Sequence, residues 1–287
     1  DSLRLIIQTG ILVPPDIGVS GEDTSDGGGG DDEDALTDPT RLYHFDMTLV
    51  DAMSGGKSFI LHSNGGFNAS IFKFGTASIG ELTAGSNYYF SQATSSPDWN
   101  FGTGDFTLDI QIYLNQIPDG TTNNQYAAVF GSVSYSGSPG DILIANNGQY
   151  GLLIIGAGGG SDAGKLIWQH KRSNGVTRQV FDAASSPLTI STWHHVAVLR
   201  SGNFIYLTID GVLQATSASL DSTDQVTGGA AFAVGGHSDS PPGFYPVSGY
   251  LDEFRIGNGT SSWTTFPFTP PGEAEPLPEP EELDILE

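Results

Sequence analysis

The cleanest pattern in the chain lies between Asp105 and Leu114. Phe106, Leu108, Ile110, Ile112 and Leu114 fall on one side, and Asp105, Thr107, Asp109, Gln111 and Tyr113 fall on the other. Strict period-two alternation predicts a β-strand with one face turned to a core. A second alternating stretch, Ser191 to Gly211, predicts a hairpin. In its first strand His194, Val196 and Val198 oppose Trp193, His195, Ala197 and Leu199; in its second Ile205, Leu207 and Ile209 oppose Phe204, Tyr206 and Thr208. Ser201-Gly202-Asn203 supplies the reversal, since Gly and Asn tolerate the positive φ of a tight turn. Asp210-Gly211 then turns the chain into a third strand at Val212-Leu213, which makes an antiparallel meander. Trp193 is expected in the core between two sheets.

The same reasoning predicts strands at 42–46, 58–62, 71–74, 87–90, 105–114, 127–131, 150–156, 165–172, 176–181, 193–200, 204–210, 230–235 and 248–257. No stretch has helical periodicity and no fixed-period repeat is present. Many short strands with a turn-rich composition (39 Gly against 10 Lys and Arg) predict an all-β sandwich.

Several blocks carry a resemblance. W-H-H-V-A-V-L-R with the following L-T-I-D-G (193–211) resembles the central signature of laminin G-like, concanavalin A-like jelly rolls. Gly249-Tyr250-Leu251-Asp252-Glu253-Phe254-Arg255-Ile256 resembles their closing strand. Leu42-Tyr43-His44-Phe45-Asp46 with Asp51 and Ser54-Gly55, then Lys73-Phe74-Gly75, then Gly104-Asp105-Phe106-Thr107-Leu108, resemble the earlier landmarks. The resemblance implies a concanavalin A-like jelly-roll β-sandwich over residues 41–268. It implies no single function, because this fold hosts lectins, hydrolases, adhesive modules and virion parts.

Charge changes the picture at the ends. The net charge is -23. Residues 1–40 hold ten acids and one base, and 269–287 hold seven acids and no base, leaving 16 of the 33 acids and nine of the ten bases between them. This predicts an apolar strand arm (1–16, with L-R-L-I-I-Q-T-G-I-L-V at 3–13), an acidic Gly-rich linker (17–40), the jelly roll (41–268) and a Pro/Glu-rich acidic tail (269–287). The linker and tail have little to bury, so ordering them is not compensated. The arm is an aggregation hazard unless paired, which makes it an expected anchor on a neighbouring subunit. Clustered Lys and Arg are lacking, which excludes nucleic acid as partner. No apolar run reaches the roughly 20 residues of a membrane span. The chain has no Cys; animal extracellular relatives of the fold commonly carry a disulfide, so the resemblance points to a bacterial or viral product.

Four sets of residues are candidates for chemistry. E-x-D-x-x-E, the carboxylate pattern of concanavalin A-like glucanases, occurs at Glu282–Glu287, outside the sandwich. Inside it the adjacent acids Asp252-Glu253 point to opposite faces, so no catalytic pair is expected. His194-His195 are likewise opposed and cannot chelate together. Trp168, His170 and Arg172 share a face, with Arg178 on the paired strand, and an aromatic beside polar groups is how a sugar ring is held. The loop 235–248 offers His237, Asp239, Phe244 and Tyr245 as a second contact on the rim. Finally, the resemblance implies a structural Ca2+ on Asp46, Asp51 and Asp252, whose hard oxygens suit that ion.

With its apolar arm and acidic linker, the chain resembles phage virion proteins: decoration, head-fibre or tail-fibre components. The expectation is a non-catalytic structural protein of a virion, oligomeric in its assembly and binding glycans or a host surface. A secreted bacterial adhesin or extracellular matrix module at the cell surface is the alternative, and a glycoside hydrolase a more distant one.

Overall fold

The computed structural model describes residues 41–272, with 51, 53–57, 63–65, 83–88, 93–96, 119–125, 133, 136–141, 144–148, 175–176, 180–185, 229–231 and 237–246 excepted. All of them belong to the larger of the two units into which the chain divides, Asp34–Glu287. The arm, the linker and most of the tail lie outside the described residues.

Strands in chain order are β1 (Arg41–Tyr43), β2 (Ile60–His62), β3 (Gly66–Asn68), β4 (Ser78–Leu82), β5 (Tyr89–Gln92), β6 (Phe106–Leu114), β7 (Tyr126–Ser132), β8 (Ser134–Tyr135), β9 (Ile142–Leu143), β10 (Tyr150–Ile155), β11 (Leu166–Lys171), β12 (Thr177–Gln179), β13 (Trp193–Ser201), β14 (Phe204–Ile209), β15 (Val212–Thr216), β16 (Phe232–Val234) and β17 (Gly249–Asn258). Helix among the described residues is limited to two 3-10 segments, Pro97–Trp99 and Ala157–Asp162.

Two antiparallel sheets face one another. The front sheet runs β15-β14-β13-β6-β17-β4-β3, with β1 also on β17; the back sheet runs β12-β11-β10-β7-β16-β5-β2. The hairpin β13–β14 forms in the expected register, with Val198 opposite Leu207 and Ser201 opposite Phe204. It adds to β6, not to its sequence neighbours, with Val198 opposite Leu108 and Trp193 opposite Tyr113. On the other side of β6, β17 places Tyr250 opposite Tyr113 and Asp252 opposite Gln111.

Between the sheets lie the apolar faces of these strands. Phe106, Leu108, Ile110 and Ile112 of β6, Val196 and Val198 of β13, and Leu251, Phe254 and Ile256 of β17 meet Phe130, Leu152, Ile154, Trp168 and Phe232 from the back sheet, all fully buried. Trp193 is not among them. It belongs to the Ala197/Leu199 side of β13, which is the outer face of the front sheet, and it is only half-buried. The expectation of Trp193 in the core is thereby corrected. Both faces of β13 are apolar, so alternation alone could not say which one met the second sheet.

The outer face has a cover of its own. Ala197 and Leu199 are buried by Trp263 and Phe268, with Tyr206 and Phe266 packed alongside. The rings of Trp263 and Phe268 stack at 4.1 Å and 3°, and Phe268 N–H donates to the Gly211 carbonyl. The segment after β17 thus straps across the front sheet.

A second correction concerns 71–74, which form a loop, not a strand. Asn68 Oδ1 accepts the Ser70 and Ile71 N–H groups (2.8 and 2.7 Å). Asp252 Oδ2 accepts those of Lys73 and Phe74 (2.8 and 3.1 Å). Donors committed to side chains cannot join a ladder.

Candidate ligand-binding face

The face expected to hold a sugar is buried. Trp168 has no exposed surface and packs on Tyr150 (5.4 Å, stacked) and Phe106 (5.9 Å) between the sheets. His170 is equally buried, with Nε2 3.0 Å from Asp224 Oδ1. The expectation of a sugar platform on Trp168 and His170 is therefore corrected. They do share a face with Leu166, but that face points into the sandwich, because Phe106 and Tyr150 complete an aromatic layer there. Arg172 sits at the strand end, ion-paired to Asp221 and 3.2 Å from Asp224. Asp224 also receives the Asp221 N–H (2.9 Å), and its carbonyl takes Arg200 Nη1 (2.9 Å). The cluster ties the 221–224 turn to β11 and β13. Arg178 pairs with His170 through the backbone; its side chain, like His237, Asp239, Phe244, Tyr245 and Asp51, lies outside the described residues.

The two strand-adjacent histidines do point to opposite faces. His195 is buried on the outer side against Asp109 (3.0 Å). His194 stands between Thr189 Oγ1 and Asp210 Oδ2, 2.7 Å from each, and so pins the loop before β13 to the hairpin's far turn. His195, Asp109 and Arg255 form a buried charged cluster under the strap, with Arg255 Nε 2.9 Å and Nη2 2.8 Å from Asp109 Oδ1.

Another aromatic group emerges where the strap ends. Cross-strand register brings Trp193, Tyr113 and Tyr250 into one row on the outer face. Their rings lie 5.6 Å (Trp193 to Tyr113) and 5.7 Å (Tyr113 to Tyr250) apart, each tilted steeply against the next. Trp193 and Tyr113 are half-buried and Tyr250 almost fully buried. Tyr250 can settle this deeply because Gly80 lies beneath it; a Cβ there would come within 2.6 Å of Tyr250 Cδ1. One pair inward on β6 is Gln111, flanked in register by His195 and Asp252. Gln111 is only 3% exposed, and its side-chain amide makes no hydrogen bond among the described residues. Stacking rings beside a polar group able both to donate and to accept are what a sugar's mixed surface requires. The sequence puts Tyr113 and Gln111 on the polar side of β6, but no spacing in it brings Trp193 and Tyr250 to them.

Asp46 and Asp252, expected as metal ligands, hold one loop from two sides. Asp46 Oδ1 accepts from Thr76 N (2.5 Å), Ala77 N (2.9 Å) and Thr76 Oγ1 (3.2 Å). Asp252 takes the Lys73 and Phe74 amides on Oδ2 and the Glu253 amide (3.0 Å) on Oδ1. Phe45 and Met47, flanking Asp46, and Glu253, next to Asp252, have φ of 59°, 59° and 47°, a sparsely populated region for such residues. Gly75 is at φ +62°, and a side chain there would collide with the Asp46 carboxylate. Burial pushes the Asp252 carboxyl up to about 7, with the Glu253 charge adding to it, although three backbone amides favour the anion. His44 is pulled up by its 2.6 Å hydrogen bond to Glu253. The donor chemistry suits a hard divalent cation, since a positive ion would relieve the charge that burial disfavours. Among the described residues, however, no three His, Cys, Asp or Glu side chains converge.

Two antiparallel sheets, a covered inner core and ring-lined outer positions define a lectin-like jelly roll. The chain belongs to the concanavalin A-like lectin/glucanases superfamily, whose model matches residues 83–265. No curated protein matches the sequence. Among solved structures it is similar to the binding domain of botulinum neurotoxin serotype G (TM-score 0.53, 12% identity, covering 77% of this chain and 48% of that one). It is similar also to domain 4 of AbnA, a GH43 extracellular arabinanase from Geobacillus stearothermophilus in complex with arabinotriose (TM-score 0.51, 15% identity, 77% and 92%). A botulinum neurotoxin type C structure, whose cell entry depends on interaction with two ganglioside molecules, matches with a TM-score of 0.52 and 13% identity over 78% and 48% of the chains. The chain spans about half the length of the toxin domains it matches. At such identities the likeness is one of fold. No helix among the described residues is long and apolar enough to cross a membrane.

Proposed function

We propose that this protein is a non-catalytic carbohydrate-binding jelly roll whose ligand seat is the outer-face row Trp193, Tyr113 and Tyr250 with Gln111 beside it. The observation that carries this reading is a half-buried aromatic pair next to a buried amide without a partner. An unsatisfied buried amide costs free energy, and a bound hydroxyl would recover it. The neighbours point the same way, one solved with arabinotriose and another dependent on gangliosides. The rim residues His237, Asp239, Phe244 and Tyr245 precede Val247 and Gly249, and Gly249 is in register with Leu114 beside Tyr113. In this reading the rim loop extends the seat. Trp193→Ala should weaken glycan binding about tenfold or more while the domain stays folded, as read by titration calorimetry and circular dichroism. Unchanged affinity would refute the seat.

The wider role we assign is structural, as a decoration or fibre component of a virion that displays this seat outward. Its support is the apolar segment Leu3–Val13 on an acidic tether of about 24 residues, which spans roughly 25–30 Å as a random coil. Such a segment can add a strand to a neighbouring subunit's sheet edge. Deleting residues 1–16 should leave a folded, soluble protein that no longer joins its assembly. Normal incorporation of the truncated chain would favour the alternative, a secreted bacterial adhesin at the cell surface.

Ca2+ is the cation assigned to Asp46 and Asp252, with Asp51 as the third carboxylate; when bound it would supply charge neutralisation and rigidity to the 71–77 loop. Without it, the proton on Asp252 matters. Its folded pKa of about 7 lies above the unfolded value of about 3.9, so the folded state holds a proton that the unfolded state has lost. Stability from this group is therefore full below about pH 4 and declines as pH rises towards 7. Calcium competes with that proton. The gain in melting temperature from saturating calcium should be large at pH 8, corresponding to about 2.7 kcal/mol at roughly 100 times the dissociation constant, and small at pH 5.5. Identical melting in chelator and in calcium at pH 8 would remove calcium from this account.

A further inference from the structure

The seat on the outer face also has an electrostatic character, and this inference rests on the reading of that seat given above. We infer that it takes an uncharged glycan and discriminates against sialylated, uronic or sulfated ones.

Recognition of a sugar carboxylate or sulfate needs a cation aimed at the ligand, most effectively a guanidinium offering paired donors. The nearest guanidinium in the fold, Arg255, is committed to Asp109 through two contacts (2.9 and 2.8 Å) and lies over the Trp263 ring at 5.5 Å, under the strap. Lys73 is the nearest ammonium on the loop side, and it sits over the Phe74 ring (5.4 Å) with its backbone N–H given to Asp252. Carboxylates, by contrast, border the floor. Asp252 is the direct cross-strand neighbour of Gln111, and Glu253 follows it. A second anion brought onto Gln111 would be placed beside Asp252 in a partly desolvated site, where like charges repel more strongly than in water. The calcium proposed above would occupy the loop side of Asp252, so its charge is used there.

Gln111 itself selects in the same direction. A carboxamide donates through its nitrogen and accepts through its oxygen, as does a sugar hydroxyl. A carboxylate accepts only, which would leave the Gln111 carbonyl facing another acceptor. The whole-molecule field adds to this. At a net charge of -23 the surroundings repel anionic ligands over distances of about a Debye length, roughly 10 Å at 0.1 M salt.

The test uses the full chain on an array of matched pairs, each a neutral oligosaccharide and the same core carrying sialic acid, a uronic acid or sulfate. Pairs that bind are then titrated at low and physiological salt with the parent, Trp193→Ala, Gln111→Ala and Lys73→Ala. The expected result is binding of neutral members, at least about tenfold weaker binding of their acidic counterparts, and a gap that narrows as salt rises. Gln111→Ala should weaken neutral binding, whereas Lys73→Ala should leave the preference unchanged. Equal or tighter binding of the acidic members, or acidic binding abolished by Lys73→Ala, overturns this inference and leaves the seat standing. Binding of neither class, or binding indifferent to Trp193→Ala, overturns the seat and the inference with it.

Discussion

Truncating Trp168 to alanine should destabilise the domain by about 3–5 kcal/mol, the range for a large aromatic lost from a packed core. The indole is fully buried, lies 5.4 Å from the Tyr150 ring and 5.9 Å from that of Phe106, and belongs to the cluster that joins the two sheets. The cavity would open between β6 of the front sheet and β10 and β11 of the back sheet, where hydrogen-bonded strands resist collapse. Denaturant unfolding followed by circular dichroism reads the effect as a lower midpoint with an unchanged slope. Whatever fraction stays folded should bind glycan like the parent, because Trp168 is not on the surface. An unchanged midpoint would show that Trp168 is not in the core.

Asp109→Ala should be about as damaging, again roughly 3–5 kcal/mol, because it strands a buried charge. Burial by itself raises the Asp109 carboxyl, but the Arg255 charge and the His195 hydrogen bond outweigh it and hold the group below its ordinary value. A depressed carboxylate contributes stability that is present above the unfolded pKa of about 3.9 and is lost as pH falls through the lower folded value. The parent should therefore lose stability below about pH 4, and Asp109→Ala should lack that part of the acid transition. Pairing Asp109→Leu with Arg255→Met should recover much of the loss, since replacing a buried ion pair by apolar side chains is often neutral or better. If the double variant is no more stable than Asp109→Ala, the cost lies elsewhere, in the Trp263 and Phe268 cover above the cluster.

These two residues also mark the boundary of what the sequence tells. Strand β6 is legible residue by residue, because one face is uniformly apolar and the other polar, and β13–β14 is legible through its turn and its alternation. The opening and closing blocks, read as a resemblance, place a jelly roll on 41–268. Asp109 and Gln111 are correctly put on the outer side of β6. The sequence also marks Asp46 and Asp252 as a pair, and the fold brings both to the 71–77 loop.

What the sequence by itself does not decide is which side of a doubly apolar strand faces the core. Leu166 and Trp168 of β11 oppose Ile167, just as Val196 and Val198 of β13 oppose Ala197 and Leu199, and in each strand both sides end up buried. For β13 the decision comes from Trp263 and Phe268, more than 60 residues further on, which cover the Ala197 side and leave Trp193 at the edge of the cover. For β11 it comes from Phe106 and Tyr150, which close an aromatic layer around Trp168. The same holds for the proposed seat: Trp193, Tyr113 and Tyr250 come from three strands widely separated in the chain, and only the order β13-β6-β17 makes them neighbours. Alternation is a local property of a strand, set by the backbone's two-residue repeat. Strand order and the choice of covered face depend on which distant surfaces can be buried together, and that is settled only when the whole sandwich closes.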